Sequence, residues 1–70
     1  MRSAAPTPLD TLTRREREVF DLLADQLTNP EIARRLGITA KTVEHHVSMV
    51  FSKLGLRGRA EAAVYAITVD

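Results

Sequence analysis

Residues 39–54 constrain the fold of this chain most, because their apolar and polar side chains separate at helical spacing. At 3.6 residues per turn, one stripe of such a helix carries Val43, Val47, Val50, Phe51 and Leu54. The opposite stripe carries Lys41, Glu44, His45, Ser48 and Ser52. The apolar stripe needs a hydrophobic core built by the rest of the chain. The polar stripe consists of side chains that could enter a groove in a partner.

A shorter helical segment and a tight turn precede this stretch. Gly37 stands where the chain leaves that segment with positive φ, and Ile38 is the apolar residue of the turn. Ala33 is small enough for two helices to cross closely. A helix, a short turn with glycine and a helix with a polar outer face form the helix-turn-helix pattern. The spacing of Ala33, Gly37 and Val43 fits this pattern, so we predict that residues 39–54 form a DNA recognition helix.

Helix-start and helix-stop signals divide the rest of the chain. Thr13 with Glu16 predicts a capping box at the start of a first helix. The second helix fits two alternative starts: Thr28 with Glu31, or Asn29 followed by Pro30 at the first helical position. Thr39 is the predicted cap of the third helix and Gly55 its predicted end. Gly58 with Glu61 can start the last helix. We therefore predict an all-α domain of four helices over residues 11–70, with residues 1–10 as a flexible leader or linker remnant.

Composition excludes several classes of protein. The chain has 70 residues and no Cys, so disulfides and thiolate metal sites are impossible. No apolar run approaches a membrane span and no signal peptide is visible, which predicts a cytoplasmic protein. His45 and His46 would point about 100° apart on a helix, and no catalytic constellation is present. We therefore expect no enzyme activity, no cofactor and no metal site.

The positive charge is concentrated around the proposed recognition helix. The formal net charge is only +1, but residues 34–59 carry six basic residues against Glu44 alone. The segments on either side are net acidic. Basic side chains clustered in this way are typical of a surface that contacts phosphates. A run of charges is also compatible with a face that is only exposed to solvent.

The last helix, predicted at about residues 59–68, is apolar nearly all round. A terminal helix of so small a domain cannot be buried on every side, so one face is expected to be an interface. The residues assigned to the core are Ala60, Ala63, Val64 and Ile67. Those assigned to a dimer interface are Ala62, Tyr65, Ala66 and Val69. The alternative is a helix whose alanines are simply exposed.

Several spaced motifs together resemble one known family. They are Leu12-Thr-Arg-Arg-Glu16, Asn29-Pro-Glu-Ile-Ala33, Leu36-Gly-Ile38, Lys41-Thr-Val43, Lys53-Leu54 and Arg59-Ala-Glu-Ala-Ala-Val64. In this order they resemble the LuxR/NarL-type (GerE-like) DNA-binding domain. The resemblance implies a four-helix bundle that binds double-stranded DNA as a two-fold homodimer. It also implies that a receiver or ligand-sensing domain precedes this one in the whole regulator.

The resemblance also implies roles for particular residues. Glu44, His45 and Ser48 correspond to positions that read the major groove, and Lys41 and Thr42 to positions that meet phosphates or base edges. Lys53 and Arg59 correspond to basic positions that approach the DNA backbone. Glu44 departs from the family pattern, which often has a basic residue there. Its carboxylate could accept from a cytosine amino group or pair with Lys41.

Two other functions are compatible with parts of this pattern. A sigma-factor-like promoter-reading domain also combines a Leu-Thr-x-x-Glu signal with a helix-turn-helix. It would not be expected to carry a fourth, alanine-rich helix that begins with Arg59-Ala-Glu61. A helical module that binds only proteins ranks third, because it leaves the basic segment unexplained.

Overall fold

The computed structural model describes residues 8–69, apart from the side chain of Val69. Within this range the chain forms a short 3-10 helix followed by four α-helices. Their bounds are Pro8–Thr11 for the 3-10 helix, Arg14–Ala24 for α1, Asn29–Leu36 for α2, Ala40–Leu54 for α3 and Arg59–Val69 for α4. The all-α prediction is confirmed. None of the helices in the described part of the chain is long and apolar enough to cross a membrane.

Capping boxes start the first two helices. Thr13 Oγ1 accepts the backbone N–H of Glu16 at 3.1 Å, and Glu16 Oε1 accepts that of Thr13 at 2.9 Å. Thr28 and Glu31 make the same reciprocal pair at 3.3 and 2.7 Å, which decides between the two predicted starts. Asn29 is therefore the first residue of α2 rather than its cap. Each such cap contributes about 1 kcal/mol to stability.

Positive φ angles end three of the helices. Gly37 at φ 70° and Gly55 at φ 67° end α2 and α3, as predicted. At the end of α1 the positive φ falls on a residue that the sequence did not single out, Gln26 at 67°. The next N–H, that of Leu27, donates to the carbonyl of Leu22 at 3.1 Å. The chain thus makes a glycine-type helix end with a residue that has a side chain, which is locally strained.

The core has two clusters that meet at α3. The first joins α1, α2 and α3 through Val19, Leu23, Ile32, Ala33, Val43 and Val47. The second joins α1, α3 and α4 through Phe20, Val50, Leu54 and Ala62. Phe51 packs against both clusters. Full burial of each large apolar side chain contributes about 1.5–3 kcal/mol, so these contacts fix the rotation of α3 about its axis.

The predicted division of the last helix into faces is wrong. Ala62, assigned to a partner, is fully buried in the second cluster, whereas Val64 and Ile67, assigned to the core, are 62% and 81% exposed. Tyr65 and Ala66 are half-buried against the same cluster. The second cluster contacts α4 at a position where only a small side chain fits. Because this helix is apolar all round, its sequence does not indicate which of its sides packs against the cluster. The side chain of Val69 lies outside the described residues.

The N-terminal 3-10 helix belongs to the packed structure. Leu9 in this helix and Leu12 just after it pack against the second cluster. The boundary predicted at residue 10 therefore falls inside the 3-10 helix Pro8–Thr11. Residues 1–7 of the predicted leader lie outside the described residues.

Candidate nucleic-acid interface

The two sides of α3 face different surroundings. Val43 and Val50 are fully buried, and Val47 is 8% exposed. Because this side is held in the core, the opposite side faces outward. It carries five of the six polar residues of this helix that were predicted to contact DNA, and each is exposed: Lys41, Thr42, Glu44, His45 and Ser48. The sixth is Lys53, in the last turn. The structure thus brings these five side chains together on one accessible surface, which we call the α3 outer face.

The first turn of α3 is suited to an anion. Thr39 Oγ1 accepts the backbone N–H of Thr42 at 3.1 Å, and its hydroxyl donates to Thr42 Oγ1 at 2.9 Å. A hydroxyl that accepts a hydrogen bond still has its own hydrogen to donate, so Thr42 can act as a donor to a ligand. This turn contains no acidic residue, and Lys41 lies in it. The helix dipole and the ammonium group therefore both favour a phosphate here.

Glu44 introduces a negative charge beside this turn. Among the described residues its carboxylate forms no ion pair with Lys41, the alternative that the sequence left open. The side chain is exposed. It repels phosphates but can accept a hydrogen bond from a base amino group, so its placement favours a role at a base edge.

The adjacent histidines lie at different depths. His45 is exposed on the α3 outer face, whereas His46 is half-buried at its border. Their ring centroids are 5.9 Å apart, with ring planes inclined by 60°. Among the described residues, no three His, Asp or Glu side chains are grouped so that they could hold a metal ion. His45 is therefore the ring that a partner of this face would meet first.

Lys53 and Arg59, which the family resemblance assigns to the DNA backbone, both bond to other parts of the chain. Lys53 Nζ lies 2.7 Å from Oε1 of the buried Glu16. The hydrogen bond from Lys53, then that from the Thr13 N–H, lowers the pKa of the Glu16 carboxyl despite its burial.

Arg59 bonds to groups at the start of α2. Its guanidinium donates to Asn29 Oδ1 at 2.8 Å and to the carbonyl of Leu27. Both partners are neutral, so Arg59 keeps its positive charge, whereas Glu16 offsets that of Lys53. Arg59 is also exposed. Of the two residues, it is the one whose charge remains available to a phosphate.

The structure adds two exposed arginines and one methionine to the candidate residues of the interface. Arg34 and Arg35 are exposed in the last turn of α2, the helix that precedes α3. In helix-turn-helix proteins this first helix crosses the DNA backbone. Both arginines belong to the basic segment of residues 34–59, and the helix-turn-helix pattern itself is the signal that could assign them to contact with the DNA backbone. Met49 is a further exposed residue of α3.

Comparison with known proteins gives a consistent result. The family described as "GerE: Bacterial regulatory proteins, luxR family" matches residues 10–66. The spore germination protein GerE of Bacillus subtilis is 53% identical over 53 residues, which cover 76% of this chain and 72% of that protein.

Two longer regulators are also similar. The nitrate/nitrite response regulator protein NarL of Escherichia coli is 44% identical over 64 residues, covering 91% of this chain and 30% of NarL. The DNA-binding transcriptional activator DevR/DosR of Mycobacterium tuberculosis is 46% identical over 59 residues, covering 84% of this chain and 27% of that protein. This chain therefore spans most of GerE but less than a third of the other two.

Proposed function

This chain belongs to the luxR family of bacterial regulatory proteins and is a DNA-binding domain of such transcription regulators, and we propose that α3 is its recognition helix. In this proposal α3 lies in the major groove of double-stranded DNA. The observation that carries it is the division of α3 between fully buried valines and an exposed row of polar and basic side chains. A helix with one such face free is the element that a major groove admits.

Each residue of the α3 outer face has a proposed role. Lys41 and the Thr42 hydroxyl meet phosphates or base edges at the start of the helix. His45 gives or accepts one hydrogen bond at a purine edge, and Glu44 accepts from a cytosine amino group. Ser48, one turn after Glu44, gives or accepts a further hydrogen bond in the groove.

Phosphate contacts from other helices orient the domain on DNA. We assign them to Arg34 and Arg35 on α2 and to Arg59 on α4, whose charges are exposed. Lys53, in the last turn of α3, contributes less, because an approach to phosphate competes with its ion pair to Glu16. Phosphate contacts position a protein and base contacts give sequence preference, so these arginines set affinity more than specificity.

We propose that two copies bind DNA as a two-fold dimer through α4. The exposed Val64 and Ile67 support this, because large apolar side chains on one helix favour association with a second copy. The half-buried Tyr65 borders the same surface, in an open groove with Leu56 and Ala60. Stable interfaces bury about 800 Å² per partner, far more than two such side chains offer. The dimer is therefore expected to form on DNA rather than in free solution.

The whole regulator is proposed to contain a regulatory domain ahead of this one. NarL and DevR/DosR are more than three times as long as the region that this chain matches. Such a domain would control when the α3 outer face can reach DNA.

Selection of bound duplexes from a random pool tests the proposal directly. We expect enriched sequences with two inverted half-sites about one helical turn apart. Binding to them should weaken steeply with salt, since each neutralised phosphate contributes about 0.9 to the slope of log K against log salt. An unenriched pool, or binding that does not respond to salt, would count against the proposal.

A further inference from the structure

Met49 is the large apolar side chain that α3 leaves exposed, at 37% of its surface. The other large exposed apolar residues of the described chain, Val64 and Ile67, lie on α4. Single apolar side chains on a protein surface are ordinary and need no function. The position of Met49 on α3 decides whether it belongs to the DNA-binding surface.

Met49 lies within the α3 outer face. At about 100° per residue, the buried residues Val43, Val47, Val50 and Leu54 share one direction of the helix, and the opposite direction falls between His45 and Ser52. Met49 lies about 50° from that outward direction, as far as Ser48, whereas Glu44 lies about 90° from it. Ser48 and Met49 flank that direction on opposite sides, so a groove centred on it and wide enough for Ser48 also receives Met49.

The chemistry of Met49 limits what it can recognise there. A thioether has no hydrogen to donate, so it cannot hold a phosphate or a purine acceptor. In the major groove the apolar group that a base presents is the C5-methyl of thymine. The methionine side chain is flexible and polarizable, which suits contact with a methyl group.

From this geometry we propose that Met49 is a specificity-determining residue that contacts the 5-methyl group of one thymine in each half-site. The inference rests on the proposed function, since it requires α3 in the major groove. Met49 follows His45 by one turn, about 6 Å along the helix axis. This distance is nearly two base-pair steps of about 3.4 Å, so the thymine is one or two base pairs from the base that His45 reads.

Replacement of thymine by deoxyuridine tests the contact, because it removes only the methyl group. Each thymine of a selected half-site is replaced in turn, and the affinity of the wild type and of Met49→Ala is measured on every duplex. We expect one position at which uridine weakens the wild type about threefold to fourfold, the effect of one buried methyl or methylene group. At that position Met49→Ala should bind the thymine and uridine duplexes equally.

Two controls separate the contact from general effects. Met49→Leu keeps an apolar side chain of similar volume and should keep the response to the methyl group. A thymine replaced outside the half-sites should leave every variant unchanged. Thermal unfolding of the variants shows whether they remain folded, as expected for a side chain outside the core.

The outcomes distinguish this inference from the function on which it rests. Salt-sensitive, dyad-symmetric binding in which Met49→Ala keeps the full response to uridine at every position would overturn the methyl contact alone. The absence of binding to any duplex would overturn both. A second selection with Met49→Ala should lose the thymine preference at the same position, and an unchanged preference there would also overturn the contact.

Discussion

Lys53 Nζ lies 2.7 Å from Glu16 Oε1, across a separation of 37 residues in the sequence. The same oxygen accepts the backbone N–H of Thr13 at 2.9 Å. One carboxylate therefore completes the N-terminal cap of α1 and holds the last turn of α3 beside it. The Glu16 side chain is only 7% exposed, so water screens this ion pair less than it screens the exposed pair of Arg17 and Asp21.

Removal of the ammonium group should destabilise the fold. Lys53→Met keeps most of the aliphatic stem but leaves the Glu16 carboxylate buried without its charged partner. We expect the free energy of unfolding, measured by urea denaturation, to fall by about 1–3 kcal/mol. Arg17→Met is the matched control and should cost less than about 1 kcal/mol, because its pair with Asp21 is exposed. Equal losses in the two variants would show that the Lys53 pair acts as an ordinary surface pair.

The same carboxylate should make stability depend on acid pH. The hydrogen bond from Lys53, followed by that from the Thr13 N–H, holds the folded-state pKa of Glu16 below its ordinary value of 4.5. The stability this provides is therefore full above pH 4.5 and is lost as the pH falls through the lower, folded-state pKa. Urea denaturation across this range should show a smaller loss for Glu16→Gln than for the wild type.

A residual acid dependence should remain in Glu16→Gln. The backbone N–H of Thr28 lowers the pKa of Glu31 in the same direction, and this group is present in both proteins. Parallel stability curves for wild type and Glu16→Gln would contradict the assigned role of Glu16.

Lys41 and His45 should affect DNA binding in different ways. Lys41→Ala should weaken binding to all sequences alike and reduce the salt slope by about 1, because it removes one phosphate contact. His45→Ala should relax the preference at one base pair by about 1–3 kcal/mol and leave the slope unchanged. Fluorescence anisotropy on the selected duplex and its point variants measures both effects. A reversed pattern would exchange the two roles, and Arg17→Ala is a charge-matched control on α1.

Gln26 offers a stabilising substitution. Its φ of 67° is unfavourable for a residue with a Cβ and acceptable for glycine. Gln26→Gly should therefore raise the free energy of unfolding by about 0.5–1 kcal/mol, net of the greater freedom of glycine in the unfolded chain. Urea denaturation measures the change, and Gln26→Ala should give no comparable gain. A loss of stability in the glycine variant would show that contacts of the Gln26 side chain outweigh its backbone strain.

The proposed dimer predicts a loss of cooperativity in Ile67→Asp. Ile67 is 81% exposed, so the monomer should remain folded and bind a single half-site as before. Binding to a duplex with two half-sites should lose its cooperativity, as measured by mobility shift. Unchanged cooperativity would place the dimer contact elsewhere. Tyr65→Asp is a poorer test, because the ring of Tyr65 packs edge-on against Phe20, with centroids 6.0 Å apart.

Local rules account for the parts of the fold that the sequence predicted correctly. Thr13 and Thr39 cap helices because their hydroxyls reach a backbone N–H three residues on. Gly37 and Gly55 end helices because they adopt positive φ. Helical periodicity places Lys41, Glu44, His45 and Ser48 of the α3 outer face opposite the buried valines, and the family resemblance adds Thr42.

Two of the failures depend on tertiary packing. Ala62 and Val64 cannot be assigned to opposite environments within a helix that is apolar all round, because only the positions of Phe20 and Leu54 decide between them. The partnership of Lys53 with Glu16 spans 37 residues and leaves no local signal. Gln26 was missed for another reason: it replaces the glycine that would have marked a left-handed helix end.

The double packing of Phe51 bears on how this domain could be re-engineered. A peptide limited to α2, the turn and α3 would lose the α1 residues of the first cluster and the α1 and α4 residues of the second, and would also uncover Val50 and Leu54. The two-helix motif is therefore a poor unit for transplantation into another protein. New DNA preferences are better sought by exchange of outward side chains while the four helices and the N-terminal 3-10 turn stay intact.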